Sequence, residues 1–337
     1  MSARLRWGFL GASNIVRTKF IPSVQESSST VPWAVASRNM GRAQSLASDL
    51  GIPNAYGSYE DLLADPAVDA VYVSVPNTQH ADWIVAALEA GKPVLSEKPM
   101  VVDGAQAQRV FDASERTGLP VLEGFMYRFH PQNVYARKIL RSGSIGEIRE
   151  VRCSFSYPLI GMMDPDNIRV TDGLGAGALM DIGSYVVSAV RDSFRAEPIA
   201  AMGWTDREQT LGIDAGFSGS LQFPHQRFGT VSWSLRGGYG AGYEVLGSEG
   251  ALLVPHAFMP GSSGMLENSF VIHQEPSIAR RQVDFAPANH FALMIDAFAE
   301  SVLDGAPLEF DARDALGNAR ALDLIRSSGV EVAVEPA

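Results

Sequence analysis

Short apolar segments alternate with amphipathic segments of helical period over the first 120 or so residues. The run Ala-Val-Tyr-Val-Ser-Val at Ala70–Val75 is apolar enough to be buried on both faces, as in a parallel sheet. Such alternation predicts a doubly wound, parallel α/β sheet. The predicted strands are Leu5–Leu10, Val31–Ser37, Ala55–Tyr56, Ala70–Val75 and Pro93–Glu97, and the predicted helices are Asn14–Ser27, Gly41–Leu50, Tyr59–Ala64 and one from Thr78 or Gln79 to Ala90.

The pattern changes after about Gly124, where strand-like segments follow one another across short turns containing Gly, Pro or Ser. Consecutive strands with short turns predict an antiparallel sheet. We therefore expect two domains: residues 1–123 with the parallel sheet, and an α+β domain at residues 124–337 with a large, mostly antiparallel open sheet. The strands expected there are Ile148–Tyr157, Ile199–Thr205, Ala215–Phe223, Gly229–Leu235, Tyr243–Leu246, Ala251–Val254, Phe270–Gln274 and Gln282–Phe285, and the helices are Leu179–Phe194, Ala288–Leu303 and Ala312–Ser327.

Composition narrows the classes of partner. The 337-residue chain is 46% hydrophobic with a formal net charge of −11, so its surface repels phosphate backbones and nucleic acid is not an expected partner. No apolar run approaches the ~20 residues that span a bilayer, and Met1–Leu10 does not resemble a signal peptide. The single cysteine, Cys153, excludes an internal disulfide. We expect a cytoplasmic protein.

The turn after the first strand has small residues where a dinucleotide phosphate would approach. Gly11 is followed by Ala12, Ser13, Asn14 and Ile15, and Ser13 stands where the G-x-G-x-x-G fingerprint has its second glycine. Small side chains let a pyrophosphate reach the backbone amides of the following helix, whose N-terminus favours an anion. We predict dinucleotide binding at this turn.

The end of the second strand distinguishes between two cofactors. NAD enzymes usually carry an acidic residue there for the ribose hydroxyls, whereas this strand ends in Ser37, Arg38 and Asn39. A guanidinium and a hydroxyl would hold a 2′-phosphate through charge-assisted hydrogen bonds, and Arg42 lies one helical turn further on. NADP is therefore the predicted cofactor, with NAD as the weaker alternative.

Further polar residues follow the next two strands, at the carboxyl edge where open α/β sheets bind ligands. Val75, Pro76, Asn77 and His80 come after the buried strand, and Glu97 and Lys98 come after its successor. We predict that these six residues contact the cofactor and that Lys98 takes part in catalysis.

These motifs together resemble the Gfo/Idh/MocA oxidoreductases, the family of glucose–fructose oxidoreductase and inositol dehydrogenase, over essentially the whole chain. The resemblance implies an N-terminal Rossmann domain with the nicotinamide over Lys98, and a sugar-like substrate between the domains. It also implies assembly into a homodimer or homotetramer through the open face of the second sheet. The segments that carry it are residues 8–15, 69–73, Asn77 with His80, 90–99, 123–131, 143–147 and 175–185.

Asp181 and Tyr185 stand four residues apart at the start of a predicted helix, so both can face one cleft. Family members place histidine or tyrosine at the position of Tyr185. A free tyrosine has a pKa of about 10 and is a poor base, but a nearby lysine ammonium favours the phenolate. We expect Tyr185 to act as acid/base assisted by Lys98, and Asp181 to accept a hydrogen bond from a substrate hydroxyl.

Tyr127, Phe155 and Arg169 are expected to line the substrate pocket, together with Asp181 and Tyr185. No His, Asp and Glu residues show metal-ligand spacing, so no metal is expected. The favoured function is an NADP-dependent aldose dehydrogenase or keto-sugar reductase. The alternatives are a trans-dihydrodiol dehydrogenase or an anhydrofructose reductase, and, in a different class, a non-catalytic NADP-sensing regulator.

Overall fold

The computed structural model describes residues 4–260, 269–276 and 278–332, which form two compact units. The first unit comprises the chain up to Met126 together with Asn289–Leu316, and the second comprises Tyr127–Ala288 and the chain from Gly317 onward. The change of unit after Met126 is close to the predicted boundary at 123. The placement of Asn289–Leu316 in the first unit differs from the predicted division, in which everything after 124 belongs to the second domain.

The first unit contains a six-stranded parallel sheet in the order β3-β2-β1-β4-β5-β6, which confirms the predicted doubly wound fold. The strand order reverses between β1 and β4, and ligands of open α/β sheets bind at the carboxyl ends beside such a reversal. The strands are β1 (Leu5–Leu10), β2 (Thr30–Ala36), β3 (Asn54–Tyr56), β4 (Ala70–Val73), β5 (Val94–Ser96) and β6 (Val121–Glu123), and the helices are α1 (Ile21–Glu26), α2 (Met40–Leu50), α3 (Tyr59–Leu63), α4 (His80–Glu89) and α5 (Gly104–Thr117).

The helix predicted after the first turn has two geometries, because a π-helical turn at Val16–Phe20 precedes α1. Pro22 stands at the start of α1 and has no N–H to donate to the carbonyl one turn back, so regular α-helical bonding is interrupted there. A short 3₁₀ turn, Asn77–Gln79, likewise precedes α4. π-Helical turns are frequent at functional sites.

The second unit contains a nine-stranded sheet in the order β14-β13-β12-β11-β7-β10-β9-β8-β15. Only the β7–β10 and β8–β15 pairs are parallel, which confirms the predicted large, mostly antiparallel sheet. Its strands are β7 (Ile148–Ser156), β8 (Ala200–Glu208), β9 (Ile213–Phe223), β10 (Arg227–Ser234), β11 (Gly240–Gly247), β12 (Ala251–Val254), β13 (Ser269–Glu275), β14 (Ile278–Phe285) and β15 (Gly329–Val332), and its first helices are α6 (Pro131–Ser142), α7 (Ile168–Thr171) and α8 (Ser184–Phe194).

Two helices follow the sheet strands near the end of the chain, α9 (His290–Asp304) and α10 (Ala312–Ser328). Within the first unit, Phe298 of α9 stacks on Trp7 at 5.3 Å between ring centroids, and Asp296 accepts a hydrogen bond from Ser27 at 2.5 Å. These contacts explain why α9 belongs to the first unit despite its position in the sequence. None of the helices in the described ranges is both long and apolar enough to cross a membrane.

One face of the second sheet is packed on α8, where a Cβ atom added to Gly229 would lie 2.6 Å from Val190. The opposite face carries large apolar side chains with high exposure. Met202, Trp204 and Phe228 are 69%, 59% and 48% exposed, and Val330, which pairs with Trp204, is 60% exposed. The register places all four on one face, because directly paired residues point to the same side.

The helix that carries the predicted catalytic pair begins where its backbone passes close to β9. Gly177 has φ of +87°, and a Cβ atom there would collide with the side chain of Asp214. The Asp214 carboxylate accepts a hydrogen bond from the backbone N–H of Leu179 at 2.6 Å. At Gly183, a Cβ atom would lie 2.8 Å from the Trp233 ring. Between them the chain forms a π-helical turn, Leu179–Gly183, which leads into α8.

We expect Gly177→Ala to destabilise the protein by about 3 kcal/mol, since the added methyl group combines an unfavourable φ with displacement of a buried carboxylate. Gly173→Ala is the matched control, because Gly173 also has positive φ (+57°) but an added Cβ atom there has nothing within 4 Å. That control should cost about 1 kcal/mol. Urea unfolding measures both, and equal losses would contradict the role assigned to the Gly177–Asp214 contact.

Candidate active site

The first glycine turn is fixed by contacts between β1 and β4. Gly11 has φ of +109°, and a Cβ atom there would lie 3.0 Å from the Ser74 carbonyl oxygen. The Gly11 N–H donates to the Ala36 carbonyl at 3.0 Å, and the Ser13 hydroxyl donates to the Ser74 hydroxyl at 2.9 Å. Residues 12–15 remain partly or fully accessible as the helix begins. The turn therefore places accessible residues at the helix start beside a close backbone crossing, which suits an anion.

The end of β2 leads into the start of α2. Ser37 is buried and its hydroxyl accepts from the backbone N–H of Asn39 at 3.3 Å. Asn39 caps α2 by accepting from the N–H of Arg42 at 3.1 Å. Arg38 is exposed, and its guanidinium interacts with the hydroxyl of Tyr59. Burial raises the pKa of Tyr59 above its ordinary value, and the Arg38 charge offsets only part of that rise. No acidic side chain follows the strand directly.

A cavity of about 320 Å³ lies between this helix start and the glycine turn. Two of its lining residues, Ala12 and Arg42, are cofactor contacts predicted from the sequence. Arg17 is a lining residue that sequence reasoning missed. Arg17 also forms an ion pair with Asp49 at 2.7 Å. The cavity joins a phosphate-accessible turn to cationic side chains, as a nucleotide carrying an additional phosphate requires. Its lining residues are Ala12, Arg17, Asn39, Gly41, Arg42, Ser45 and Leu46.

His80 has a different place from the one predicted. It is fully buried, and its two ring nitrogens lie 2.8 Å from the Val75 carbonyl oxygen and 3.0 Å from the Pro99 carbonyl oxygen. Its ring therefore braces the loop after β4 against the loop after β5, because both nitrogens are directed to backbone rather than to an accessible ligand face. Val75 is buried as well, whereas Pro76 and Asn77 are partly exposed at the carboxyl edge.

The loop that carries Lys98 is held by two carboxylates. Glu97 accepts hydrogen bonds from the Tyr72 hydroxyl and, at 3.3 Å, from the backbone N–H of Lys98. Glu123 accepts from the backbone N–H of Met100 at 2.8 Å. Lys98 is partly exposed at the end of β5. Glu97 thus supports the position of Lys98, and its predicted contact with a cofactor stays a prediction.

In the second unit, Asp181 lies at the centre of a charged cluster. Its Oδ2 accepts a hydrogen bond from the Tyr157 hydroxyl at 2.5 Å and lies 3.0 Å from Nε of Arg169. Arg169 stands on the one-turn helix α7. Sequence reasoning missed Tyr157 altogether. The sequence feature that could have identified Tyr157 is its position at the end of the predicted strand that also carries Phe155.

Aromatic rings surround Tyr185, which is 5% exposed. The centroids of Tyr127, Phe155 and Phe258 lie 5.8, 5.7 and 5.5 Å from that of Tyr185. The Tyr127 hydroxyl lies 2.7 Å from the hydroxyl of Ser188, and burial raises the pKa of Tyr127 to about 12. Tyr127 and Phe155, at 2% and 3% exposure, thus pack around the Tyr185 ring, and their place in a substrate pocket stays a prediction.

These side chains give the second unit a phenol and a carboxylate one helical turn apart, with a guanidinium on the carboxylate. Such an arrangement can exchange a proton with a bound hydroxyl and accept a hydrogen bond from it. Within the described ranges, no group of three or more His, Cys, Asp and Glu residues is arranged to hold a metal ion.

Comparison with known proteins gives consistent matches over both units. Residues 5–125 match the oxidoreductase family model with an NAD-binding Rossmann fold, and residues 134–253 match the GFO/IDH/MocA C-terminal domain. The chain is 34% identical to D-xylose 1-dehydrogenase (NADP(+)) 2 of Haloferax volcanii, over 96% of this chain and 97% of that protein. It is 32% identical to a dTDP-3,4-didehydro-2,6-dideoxy-alpha-D-glucose 3-reductase of Actinomadura kijaniata, over 97% and 96%.

A crystal structure of a 3-ketoreductase from Actinomadura kijaniata, in complex with NADP and TDP-benzene, has the same fold. Its TM-score to this chain is 0.85 at 31% identity, over 98% of this chain and 99% of that one. The family expected from the sequence motifs is confirmed by these matches. The chain belongs to the GFO/IDH/MocA family of oxidoreductases.

Proposed function

We propose that this protein is an NADP-dependent oxidoreductase that transfers a hydride between the nicotinamide and a CH–OH or carbonyl group of a sugar or sugar derivative. The observation that carries the proposal is the arrangement of Tyr185 and Asp181 within the aromatic and charged surroundings of α8. The relatives named above act on a pentose and on a nucleotide-linked keto-sugar, which supports a polyhydroxylated substrate. An aldose dehydrogenase and a keto-sugar reductase share these steps in opposite directions.

The first unit fits NADP. The backbone amides of residues 12–15 would hold the pyrophosphate. The cavity beside them, which Arg42 and Arg17 line, would hold the 2′-phosphate. Ser37 and Arg38 stand at the adjoining end of β2. When bound, NADP supplies the site that accepts or donates the hydride. The NADP-bound reductase with the same fold supports this choice over NAD.

The proton step belongs to the side chains. In oxidation, Tyr185 takes the proton of the substrate hydroxyl as the hydrogen on carbon leaves as hydride, and in reduction it returns a proton to the carbonyl oxygen. Lys98 orients that oxygen and favours the phenolate. Asp181 accepts a hydrogen bond from a second substrate hydroxyl. Glu97 and His80 act indirectly, by fixing the backbone on either side of Lys98.

The proposal includes a homodimer or homotetramer in the cytoplasm, assembled through the open face of the second sheet. The four exposed apolar residues Met202, Trp204, Phe228 and Val330 support a second copy of the chain as the occupant of this face. The one cysteine described, Cys153, is buried and reduced, in keeping with a reducing compartment.

Tyr185→Phe should lower kcat by about 10²–10⁴-fold, because it removes only the hydroxyl that exchanges the proton. Lys98→Met should have an effect of the same order, while NADPH binding followed by fluorescence survives in both. Tyr135→Phe is the matched control, since its hydroxyl lies 3.2 Å from His273 and takes no part in the proposed step. The assay follows reduction of NADP with a panel of aldoses and dihydrodiols, and oxidation of NADPH with a panel of keto-sugars and anhydrofructose. Near-normal turnover by Tyr185→Phe would refute the assignment.

Arg42→Ala and Arg38→Ala should raise the KM for NADP by about tenfold or more and leave the KM for NAD nearly unchanged, because each loses a charge-assisted bond to the 2′-phosphate. Arg116→Ala is the control, as this exposed arginine in the last turn of α5 pairs with Glu89 of α4. Steady-state kinetics with both cofactors measures the ratio. An unchanged ratio in one variant would remove that arginine from the phosphate site.

Trp204→Glu should convert the oligomer to a smaller species, because it places a charge in the centre of the proposed apolar interface. Val134→Glu is the control, since Val134 is 47% exposed on α6 and lies outside that face. Sedimentation equilibrium measures the mass of each variant. An oligomer that survives Trp204→Glu but not Val134→Glu would place the interface elsewhere.

A further inference from the structure

Three separate elements of the second unit meet at one carboxylate oxygen. Tyr157 follows β7, Arg169 lies on α7, and Asp181 lies in the π-helical turn before α8. The Tyr157 hydroxyl and the Arg169 guanidinium both reach Oδ2 of Asp181, at 2.5 and 3.0 Å. The Asp181 side chain is only 9% exposed and that of Arg169 is 42% exposed. The ion pair is therefore largely shielded on the carboxylate side, where charges interact more strongly than in water.

The pKa values of Tyr157 and Arg169 both reflect their contact with Asp181. Burial and the adjacent Asp181 carboxylate raise the pKa of Tyr157, so Tyr157 remains a hydrogen-bond donor. The pKa of Arg169 is raised chiefly by Asp181, and further by its interactions with Tyr157 and Tyr185. Asp181 and Tyr185 stand four residues apart where the π-helical turn leads into α8, so the ion pair lies about one helical turn from Tyr185 along the chain. Tyr157 is suited to orient the carboxylate.

The charge balance explains why this arrangement matters for Tyr185. A phenolate one helical turn from an uncompensated carboxylate would be repelled by it. Arg169 cancels that carboxylate charge, and the Tyr157 hydroxyl disperses it further through a short, charge-assisted hydrogen bond. Removal of either partner exposes Tyr185 to more of the Asp181 charge.

We propose that Arg169 and Tyr157 are positioning residues for the acid/base step: they neutralise and orient Asp181 so that Tyr185 can ionise beside it. Arg169 thus supplies a cation to Tyr185 from within the second unit, in addition to the role given to Lys98. This inference rests on the proposed function in taking Tyr185 as the acid/base. It assigns Arg169 to the support of the reaction rather than to the pocket wall predicted from sequence.

The rings described in contact with Tyr185 carry no charge at working pH. Phe155 and Phe258 are apolar, and Tyr127, with a pKa of about 12, is neutral. The titratable groups described in contact with Asp181 or with the Tyr185 ring are Arg169, Tyr157 and Tyr127.

The test is a spectroscopic titration of Tyr185 that needs no turnover. The near-ultraviolet phenolate absorbance of each variant is measured against pH, and that of the same variant carrying Tyr185→Phe is subtracted. Arg169→Gln should raise the midpoint by about one to three pH units, and Arg169→Lys by less. Tyr157→Phe should raise it by a smaller amount than Arg169→Gln. Asp181→Asn should lower it, and adding Asp181→Asn to Arg169→Gln should reverse most of the rise.

Arg152→Gln is the matched control, because Arg152 is an exposed arginine of the same unit that pairs with Glu150 and Glu244. It should leave the midpoint unchanged. The basic limb of the pH profile for kcat/KM in oxidation should move with the spectroscopic midpoint.

An unmoved midpoint in Arg169→Gln and Tyr157→Phe would overturn the inference, even in an active enzyme. A raised KM for substrate with an unmoved midpoint would return Arg169 to the pocket wall and also overturn it. If the expected shifts occur in a protein that turns over no member of the panel, the inference holds and the proposed function fails. If Arg169→Gln does not fold, the titration midpoints of Arg169→Lys and Tyr157→Phe decide the question in the same way.

Discussion

At the helix starts that carry candidate site residues, the backbone runs so close to its neighbours that a Cβ atom does not fit. Gly11 lies against Ser74 in the first unit, and Gly177 and Gly183 lie against Asp214 and Trp233 in the second. Both helices then begin with a π-helical turn. Gly11 and Gly177 have φ of +109° and +87°, which glycine adopts without steric cost, and the position of Asp181 depends on the close approach at Gly177 and Gly183.

Side chains that bond to backbone complete the support. His80 bridges the carbonyls of Val75 and Pro99, and Glu97 accepts from the N–H of Lys98. The Asp214 carboxylate likewise accepts a hydrogen bond from the backbone N–H of Leu179. In each case a polar side chain is satisfied by the backbone of a segment that carries or adjoins a candidate site residue. The loops are thereby as well determined as the strands, which is what a site needs to hold reacting groups in place.

Sequence periodicity predicted the strands and both sheets because burial repeats along each element. Leu5–Leu10 and Ala251–Val254 agree with the observed bounds. It could not predict that α9 covers the first sheet, since Trp7 and Phe298 meet only in the folded chain. For the same reason, motif position suggested a ligand contact for His80, whose ring in fact faces backbone carbonyls. The hydrophobic periodicity of the sequence predicts which residues are buried, whereas the hydrogen-bond partner of each polar atom depends on the tertiary structure.

The difference between Tyr157 and Tyr185 shows why residue type alone does not assign a chemical role. Both phenols belong to the second unit and both are linked to Asp181, one by a direct hydrogen bond and the other by one helical turn. Direct donation to a carboxylate stabilises the protonated phenol, so Tyr157 is committed as a donor. A phenol that donates its proton to Asp181 in a hydrogen bond is not available to exchange that proton with a substrate. In the proposed reaction that exchange is assigned to Tyr185.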